Sequence, residues 1–343
     1  MDTKYTTQPM RIFLPIQIKP TGGTSTFAAL FKEQLEQMGH SVTFTFTKEY
    51  DILFVLVSCH PKYILHAKLH NRKIVQRLDG AYYKSTVAGK AYLLYNFPAK
   101  MILKYFATHI IYQSKYSKYS CDTFLGKPPH ENWSIIYNGV DTDLFCPTGD
   151  IQEFRTISNQ QIFITASRFR RRDQIIPLIQ SLEIYAQKYT ANFRFEIIGD
   201  FSKEVADVPM RYSHVPHLNF RGAVSRSKLP FFLRSADAFL FTHQNPPCPN
   251  NVLEALASGL PICGVADGSM MELTVPGATS ELIPANDDGF TTFRKLDINR
   301  FADNLNTIMK DLPRYKNAAR WAAVERFQAK RMIEEYLYAI NSF

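Results

Sequence analysis

Four arginines crowd into Ser167-Arg-Phe-Arg-Arg-Arg-Asp173, directly after an apolar run and directly before a helix-period stretch. Like charges that close repel one another unless an anion sits among them, and the planar guanidinium fork suits phosphate oxygens. Arg168 leads as the anion ligand and Arg172 follows, while Arg170 and Arg171 either join them at the anion or belong to a solvated basic turn. Near the N-terminus, Lys19-Pro-Thr-Gly-Gly-Thr-Ser25 joins an apolar run to a helix. Gly22 and Gly23 would let backbone N–H groups approach a phosphate, with the helix presenting its positive end, although a plain tight turn uses the same glycines.

The segment Pro247-Cys-Pro-Asn-Asn-Val-Leu-Glu-Ala-Leu-Ala-Ser-Gly-Leu-Pro261 carries the most information. Prolines and asparagines follow a strand and cap a short helix, so the amides of Asn251, Val252 and Leu253 are expected to point toward a ligand between domains. Glu254, expected in the first turn, is placed to accept hydrogen bonds from vicinal hydroxyls; a glutamate favoured there by the helix dipole is the plainer reading. Asp141-Thr-Asp143 has a spacing that can hold a divalent cation, but it begins inside Asn-Gly-Val-Asp and is read as a decoy. His66 and His70 are helically spaced without a carboxylate nearby in sequence, so surface is expected rather than zinc.

These groups need elements to hold them. Strand-like runs alternate with helix-period stretches along all 343 residues, the pattern of parallel sheets with crossover helices. The first series is Arg11 to Ile18, Val42 to Phe46, Asp51 to Ser58, Lys73 to Leu78 and His109 to Tyr112; the second is Gln161 to Ala166, Phe193 to Ile198, Leu218 to Phe220, Ala238 to Thr242 and Pro261 to Val265. Helices are expected over Ser25 to Met38, Ile175 to Tyr189, Asn251 to Ser258, Arg300 to Leu312 and Gln328 to Ile340. The expected organisation is α/β, two facing doubly wound Rossmann-like domains: 1–147, a linker 148–160, 161–325, and a C-terminal helix 326–343 that packs back on the first domain. Five scattered cysteines without a CxxC pair read as free thiols in a reducing compartment. The polar start and the lack of any run long enough to span a bilayer place the chain in the cytoplasm, and its net charge of +9 favours polyanions: nucleotide phosphates, anionic headgroups or nucleic acid.

Ile136-Tyr-Asn-Gly-Val-Asp with Phe145 and Pro147, Gly199-Asp200, Phe220-Arg-Gly, and Asn250-Asn-Val-Leu-Glu-Ala-Leu-Ala-Ser-Gly-Leu-Pro occur in one order and spacing. In these the chain resembles the retaining GT-B glycosyltransferases of family 4, glycosyl transferases group 1. The resemblance implies that Gly22 and Gly23 belong to the glycine loop at the donor phosphates, that Arg168 is the arginine of the basic pair on the diphosphate, and that Glu254 binds the donor ribose. It sets the stretch from Asp267 to Glu272 beside the transferred sugar, which makes Ser269 and Glu272 donor-side residues. The chain also departs from the family. The first of two acidic residues separated by seven others falls on Pro246, the lysine of the basic pair falls on Asp173 beside Arg172, and a glycine pair has become Gly268-Ser269. Where a histidine often lines the sugar pocket, Asp79 stands after its strand, with His60 after the preceding strand as the other candidate; a turn residue before Gly80 is the plain reading of Asp79.

The resemblance implies transfer of a sugar from a nucleotide-sugar donor, of unidentified base, to a glycan, lipid-linked or small-molecule acceptor with retention, the domains closing on the donor. Arginines and helix-end amides take the role of a metal, and no cofactor is expected because the nucleotide-sugar is a substrate. The alternative is a catalytically weak nucleotide-sugar-binding or partner subunit. Nucleic acid is not an expected partner: the basic, aromatic stretch Lys100 to Tyr119 matches no recognised binding module and is read as core. Peripheral contact with a membrane surface is compatible with the charge.

Overall fold

The computed structural model describes residues 8–19, 22–87, 89–152, 155 and 159–342. Its strands form two six-stranded sheets in which every described pairing is parallel. The first contains β1 (Arg11–Phe13), β2 (Ser41–Thr43), β3 (Ile52–Leu56), β4 (Lys73–Leu78), β5 (His109–Tyr112) and β6 (Trp133–Ile135), in the order β2-β1-β3-β4-β5-β6. The second contains β7 (Gln161–Ala166), β8 (Phe193–Ile198), β9 (Leu218–Gly222), β10 (Ala238–Phe241), β11 (Ile262–Ala266) and β12 (Ser280–Pro284), in the order β12-β11-β10-β7-β8-β9. Central strands such as Ile52–Leu56 and Ala238–Phe241 are apolar at every position because helices cover both faces of a parallel sheet.

The longer helices are α1 (Gly23–Gln37), α2 (Pro61–Leu69), α3 (Ala91–Tyr105), α4 (Lys115–Phe124), α5 (Ile176–Lys188), α6 (Asn250–Ala257), α7 (Ile298–Lys310), α8 (Leu312–Arg326) and α9 (Ala329–Asn341). Residues through Asn138 and from Ala329 onward make one compact unit, and Gly139–Gln328 make the other. The second unit therefore takes in residues that precede the boundary read at 147. Arg320 explains this: its Nη1 donates to the carbonyls of Thr142 (3.0 Å), Phe145 (2.9 Å) and Ala257 (2.7 Å), while Arg234 donates to those of Leu144 and Cys146. Of the expected linker 148–160, residues 153, 154 and 156–158 lie outside the described residues. Beside them Arg155 makes a forked pair with the buried Asp237 (2.8 and 2.9 Å).

Sequence periodicity overran β1 and β2, which end at Phe13 and Thr43, and passed over β6, β12 and helices α2, α3, α4 and α8. Pro15 has no N–H to continue the β1 ladder. The stretch Lys100 to Tyr119 is core only in part, not throughout as expected. It spans the end of α3, all of β5 and the start of α4, and Tyr112 is buried, but Tyr105 and Tyr119 stand in solvent.

The closing helix α9 packs on the first unit, as expected. Ile333, Tyr336 and Ile340 join Phe27, Phe31 and Phe54 in one apolar cluster. The Tyr336 ring lies 5.3 Å from Phe31 and 5.7 Å from Phe54, and its hydroxyl accepts from Nε of the buried Arg77 (2.9 Å). Arg77 also stacks on Phe27, 3.6 Å from the ring centroid. Tyr336→Ala should destabilise the first unit by about 3–5 kcal/mol, the range for large aromatics lost from a core. Tyr336→Phe should cost only about 1.5–3 kcal/mol, through the lost bond to a charged donor. Urea midpoints of the two variants would check the order; equal losses would place the contribution wholly in the hydroxyl and refute the ring's share.

Candidate functional site

In the second unit the chain winds outward from β7 through β8 to β9 on one side and from β10 through β11 to β12 on the other. Loops leaving the carboxyl ends of β7 and β10 therefore diverge, and such a switch point is where a doubly wound sheet opens a crevice. The arginine loop Ser167 to Asp173 leaves β7, and Thr242 to Pro249 leaves β10.

The four arginines do not share one environment. Arg171 forks onto Asp173 (2.8 and 2.9 Å) and stacks on Phe293, 3.5 Å from the centroid. Arg172 reaches both oxygens of Asp207 (2.8 and 2.9 Å), a pair roughly half exposed on each side. Among the described residues the side chains of Arg168 and Arg170 make no ion pair or hydrogen bond, and both are exposed. The charge left uncompensated at this strand end is thus that of Arg168 and Arg170, while Arg172 already has a carboxylate.

Uncharged groups fix the loop. Gln174 Oε1 accepts the amides of Arg170 (2.7 Å) and Arg171 (3.2 Å), which turns Gln174 Nε2 toward Nδ1 of His243 (3.4 Å). With Nδ1 accepting, Nε2–H of His243 donates to Oγ of Ser167 (3.1 Å). Burial pushes His243 down to about 4, and Arg171 and Arg170 act in the same direction, so the ring is neutral near pH 7. Asn251 on α6 completes the frame by donating its side-chain N–H to the carbonyl of Ala166 (2.8 Å). Gly199 permits the close approach of the β8 loop: it has φ +135°, and a Cβ there would stand 1.6 Å from the Ser167 carbonyl oxygen.

Helix α6 begins at Asn250, so Glu254 lies in its second turn rather than the expected first. The first turn also differs in its amides: Val252 and Leu253 donate to the Pro249 carbonyl (3.2 and 3.4 Å), and Asn251 Oδ1 accepts from Val252 (3.0 Å). Proline cannot supply a capping side chain, and the helix closes on its carbonyl instead. Glu254 is buried, and its Oε1 accepts from Arg226 (2.7 Å); Oε2 has no protein donor among the described residues. Desolvation pushes its carboxyl up, against the opposing charge of Arg226.

Pro246, Gly268 and Ser269 form one locked corner. Ser269 is fully buried and gives both its N–H (2.9 Å) and its Oγ–H (3.0 Å) to the Pro246 carbonyl. A Cβ on Gly268, at φ +56°, would meet Pro246 at 2.5 Å. Glu272 closes the same turn through its N–H on the Ser269 carbonyl (2.8 Å). Asn245, before the proline, has φ +55° and donates its N–H to Asp267 (2.9 Å), and the buried Asp267 is forked by Arg294. Both polar side-chain atoms of Asn245 are buried without a partner among the described residues, and a strained, unsatisfied residue of this kind is a mark of functional sites.

The first unit holds the remaining candidates at the ends of its own strands. Gly22, with φ +121°, caps α1 and has open space where a Cβ would be; Gly23 is the first helical residue. Asp79 follows β4 directly, before Gly80 at φ +135°, and desolvation pushes its carboxyl up against the charge of Arg77. His60 caps α2, accepting the Lys62 amide on Nδ1 (3.2 Å), and is exposed. Asp141, in the second unit, spends Oδ1 on the amides of Asp143 (3.0 Å) and Leu144 (2.9 Å), as a turn cap does. Arg226, His243, Gln174 and Asn245 escaped the sequence reading. His243 alone carried a usable signal, since it follows the run Ala238 to Thr242 as Ser167 follows Gln161 to Ala166.

Solved structures of similar shape cover nearly the whole chain. HepE from Anabaena, in complex with UDP, has a TM-score of 0.75 at 19% identity over 97% of this chain and 100% of that one. Sucrose-phosphate synthase from Thermosynechococcus elongatus has 0.75 at 16% over 96% and 98%. A glycosyltransferase from Rickettsia africae has 0.74 at 14% over 98% and 100%. No curated protein matches in sequence. At such identities the likeness is one of fold, and the fold is GT-B, two Rossmann-like domains. The family described as glycosyl transferases group 1 matches residues 149–323, just over half of the chain and all of the strand ends described above in the second unit, and the chain belongs to that family.

Proposed function

We propose that this protein moves a sugar from a nucleotide diphosphate-sugar to a hydroxyl of a glycan, lipid-linked or small-molecule acceptor, with retention of configuration and without a metal. The observation that carries the reading is Arg168: a guanidinium without a partner among the described residues, on a loop framed by neutral hydrogen bonds, at the switch point of the family-matched unit. The donor diphosphate takes Arg168, and its ribose hydroxyls take Oε2 of Glu254, whose other oxygen Arg226 holds. HepE has been solved with UDP-glucose, which makes that donor the first probe.

In the transfer, the bond from the anomeric carbon to the diphosphate oxygen breaks and a bond to the acceptor oxygen forms on the same face. Charge builds on the departing diphosphate, where Arg168 stabilises it, and a phosphate oxygen takes the acceptor's proton. Pro246 offers no carboxylate to do so. Ser269, Glu272, Asp79 and His60 are assigned to the sugar side, and Gly22 and Gly23 to the phosphate side, on the resemblance.

Arg168→Ala should weaken UDP binding roughly ten- to hundredfold, the equivalent of one charge-assisted phosphate contact, and leave uridine binding unchanged. Arg172→Ala should have the smaller effect, because Asp207 already engages that guanidinium. Calorimetric titration with both ligands checks this, and equal losses for uridine and UDP would refute the diphosphate role. Glu254→Gln should raise the donor Kd while the melting temperature holds, since Arg226 is 40% exposed and can remain hydrated. Turnover of UDP-glucose should survive EDTA, and Asp141→Asn with Asp143→Asn should leave it nearly unchanged. Loss on chelation with recovery on added magnesium or manganese would overturn the metal-free mechanism.

A further inference from the structure

We propose that the outer face of α3 docks the protein on the surface of an anionic lipid bilayer. The inner face of the helix is fixed: Asn96, Ala99, Ile102 and Leu103 are buried, Asn96 exchanges two hydrogen bonds with the backbone of Tyr82 (2.8 and 2.9 Å), and Gln76 donates to the Ala99 carbonyl (3.0 Å). What that leaves outside is apolar. Leu93, Leu94, Phe97 and Tyr105 are 54–78% exposed, and at 100° per residue they share with Met101 a sector of about 120°. Tyr95, about 80° beyond the sector at the same spacing, is also exposed and pairs with the exposed Tyr82 at 5.4 Å.

Large apolar side chains grouped on one exposed helix face mark an interaction site. Charge identifies the occupant. Lys100 lies about 20° outside the apolar sector and Lys104 about 20° inside it. From Gly80 to Cys121 the sequence holds six lysines (84, 90, 100, 104, 115 and 118) and no aspartate or glutamate, and Lys118 among them pairs with the carboxylate of Asp122. Lysine stems can lie along an acyl surface while the ammonium groups meet lipid phosphates, and tyrosines favour the headgroup level. A helix of 15 residues is too short to cross a bilayer, and no described helix is long and apolar enough to do so. α3 is therefore an in-plane, interfacial helix. This surface does not depend on the donor reading.

Sedimentation of the full chain with vesicles tests it. Binding to phosphatidylcholine containing one third phosphatidylglycerol should exceed binding to phosphatidylcholine alone by roughly tenfold or more, and should fall as salt rises. Leu94→Glu with Phe97→Glu should remove it, with the circular-dichroism melt and lipid-free UDP affinity unchanged because these side chains stand in solvent. Lys90→Gln with Lys100→Gln should remove only the preference for the anionic lipid. The proposal is overturned if the unmutated chain stays in the supernatant with anionic vesicles, or if the Leu94→Glu, Phe97→Glu variant sediments like the parent. It is equally overturned if the face proves to join two copies, seen as a dimer in solution that this variant splits without any vesicle binding.

Discussion

A positive charge without a carboxylate beside it, held at the carboxyl end of a strand, is the constraint around which the second unit is arranged. Arg171 and Arg172 are neutralised by Asp173 and Asp207, whereas Arg168 and Arg170 pair with no carboxylate among the described residues. A loop of this kind cannot be shaped by ion pairs, because any carboxylate close enough to anchor Arg168 would also quench it. Neutral donors and acceptors shape it instead: the Ser167 hydroxyl, the His243 imidazole, and the Gln174 and Asn251 carboxamides. Burial serves this arrangement by keeping His243 uncharged beside two arginines.

Backbone proximity is the second consequence. The loops after β7 and β8 lie so close that only glycine fits at 199, and those after β10 and β11 close on each other through Gly268 and the Pro246 carbonyl. Where the family has an acidic side chain, this chain has a proline ring seated on a glycine. The carboxylates nearby are otherwise committed, Asp267 to Arg294 and Glu254 in part to Arg226. The proposed transfer of the acceptor's proton to the departing phosphate is consistent with these commitments.

Central strands were legible in the sequence because burial on both faces leaves an uninterrupted apolar run, as in Ile52–Leu56 and Ala238–Phe241; the bounds agreed even at Lys73–Leu78 and Phe193–Ile198, whose runs are broken by Gln76, Arg77 and Glu196. The edge strands β6 and β12 were not. Trp133–Ile135 is short and only partly buried, and Ser280–Pro284 mixes a glutamate and a proline into its run. Helix α8 has weak amphipathicity and many alanines, so its period was faint. The arginine loop was legible because its charge density is local. The partner of Glu254 was not, since Arg226 lies 28 residues away and meets it only through the fold.

The misreading of Lys100 to Tyr119 has the same physical origin as the α3 surface. Helical periodicity reports which residues share a face, not which face meets protein, and α3 is apolar on both. Its inner side is specified by polar anchors, Asn96 to Tyr82 and Gln76 to the Ala99 carbonyl, rather than by greater hydrophobicity. Cation type completes the distinction. Around the candidate donor site the cations are arginines, whose rigid forks suit defined partners; along 80–121 they are lysines, mobile point charges suited to a diffuse one. Within the net charge of +9, the guanidinium groups of Arg168 and Arg170 suit one defined anion, and the lysines beside the apolar face of α3 suit a diffuse one.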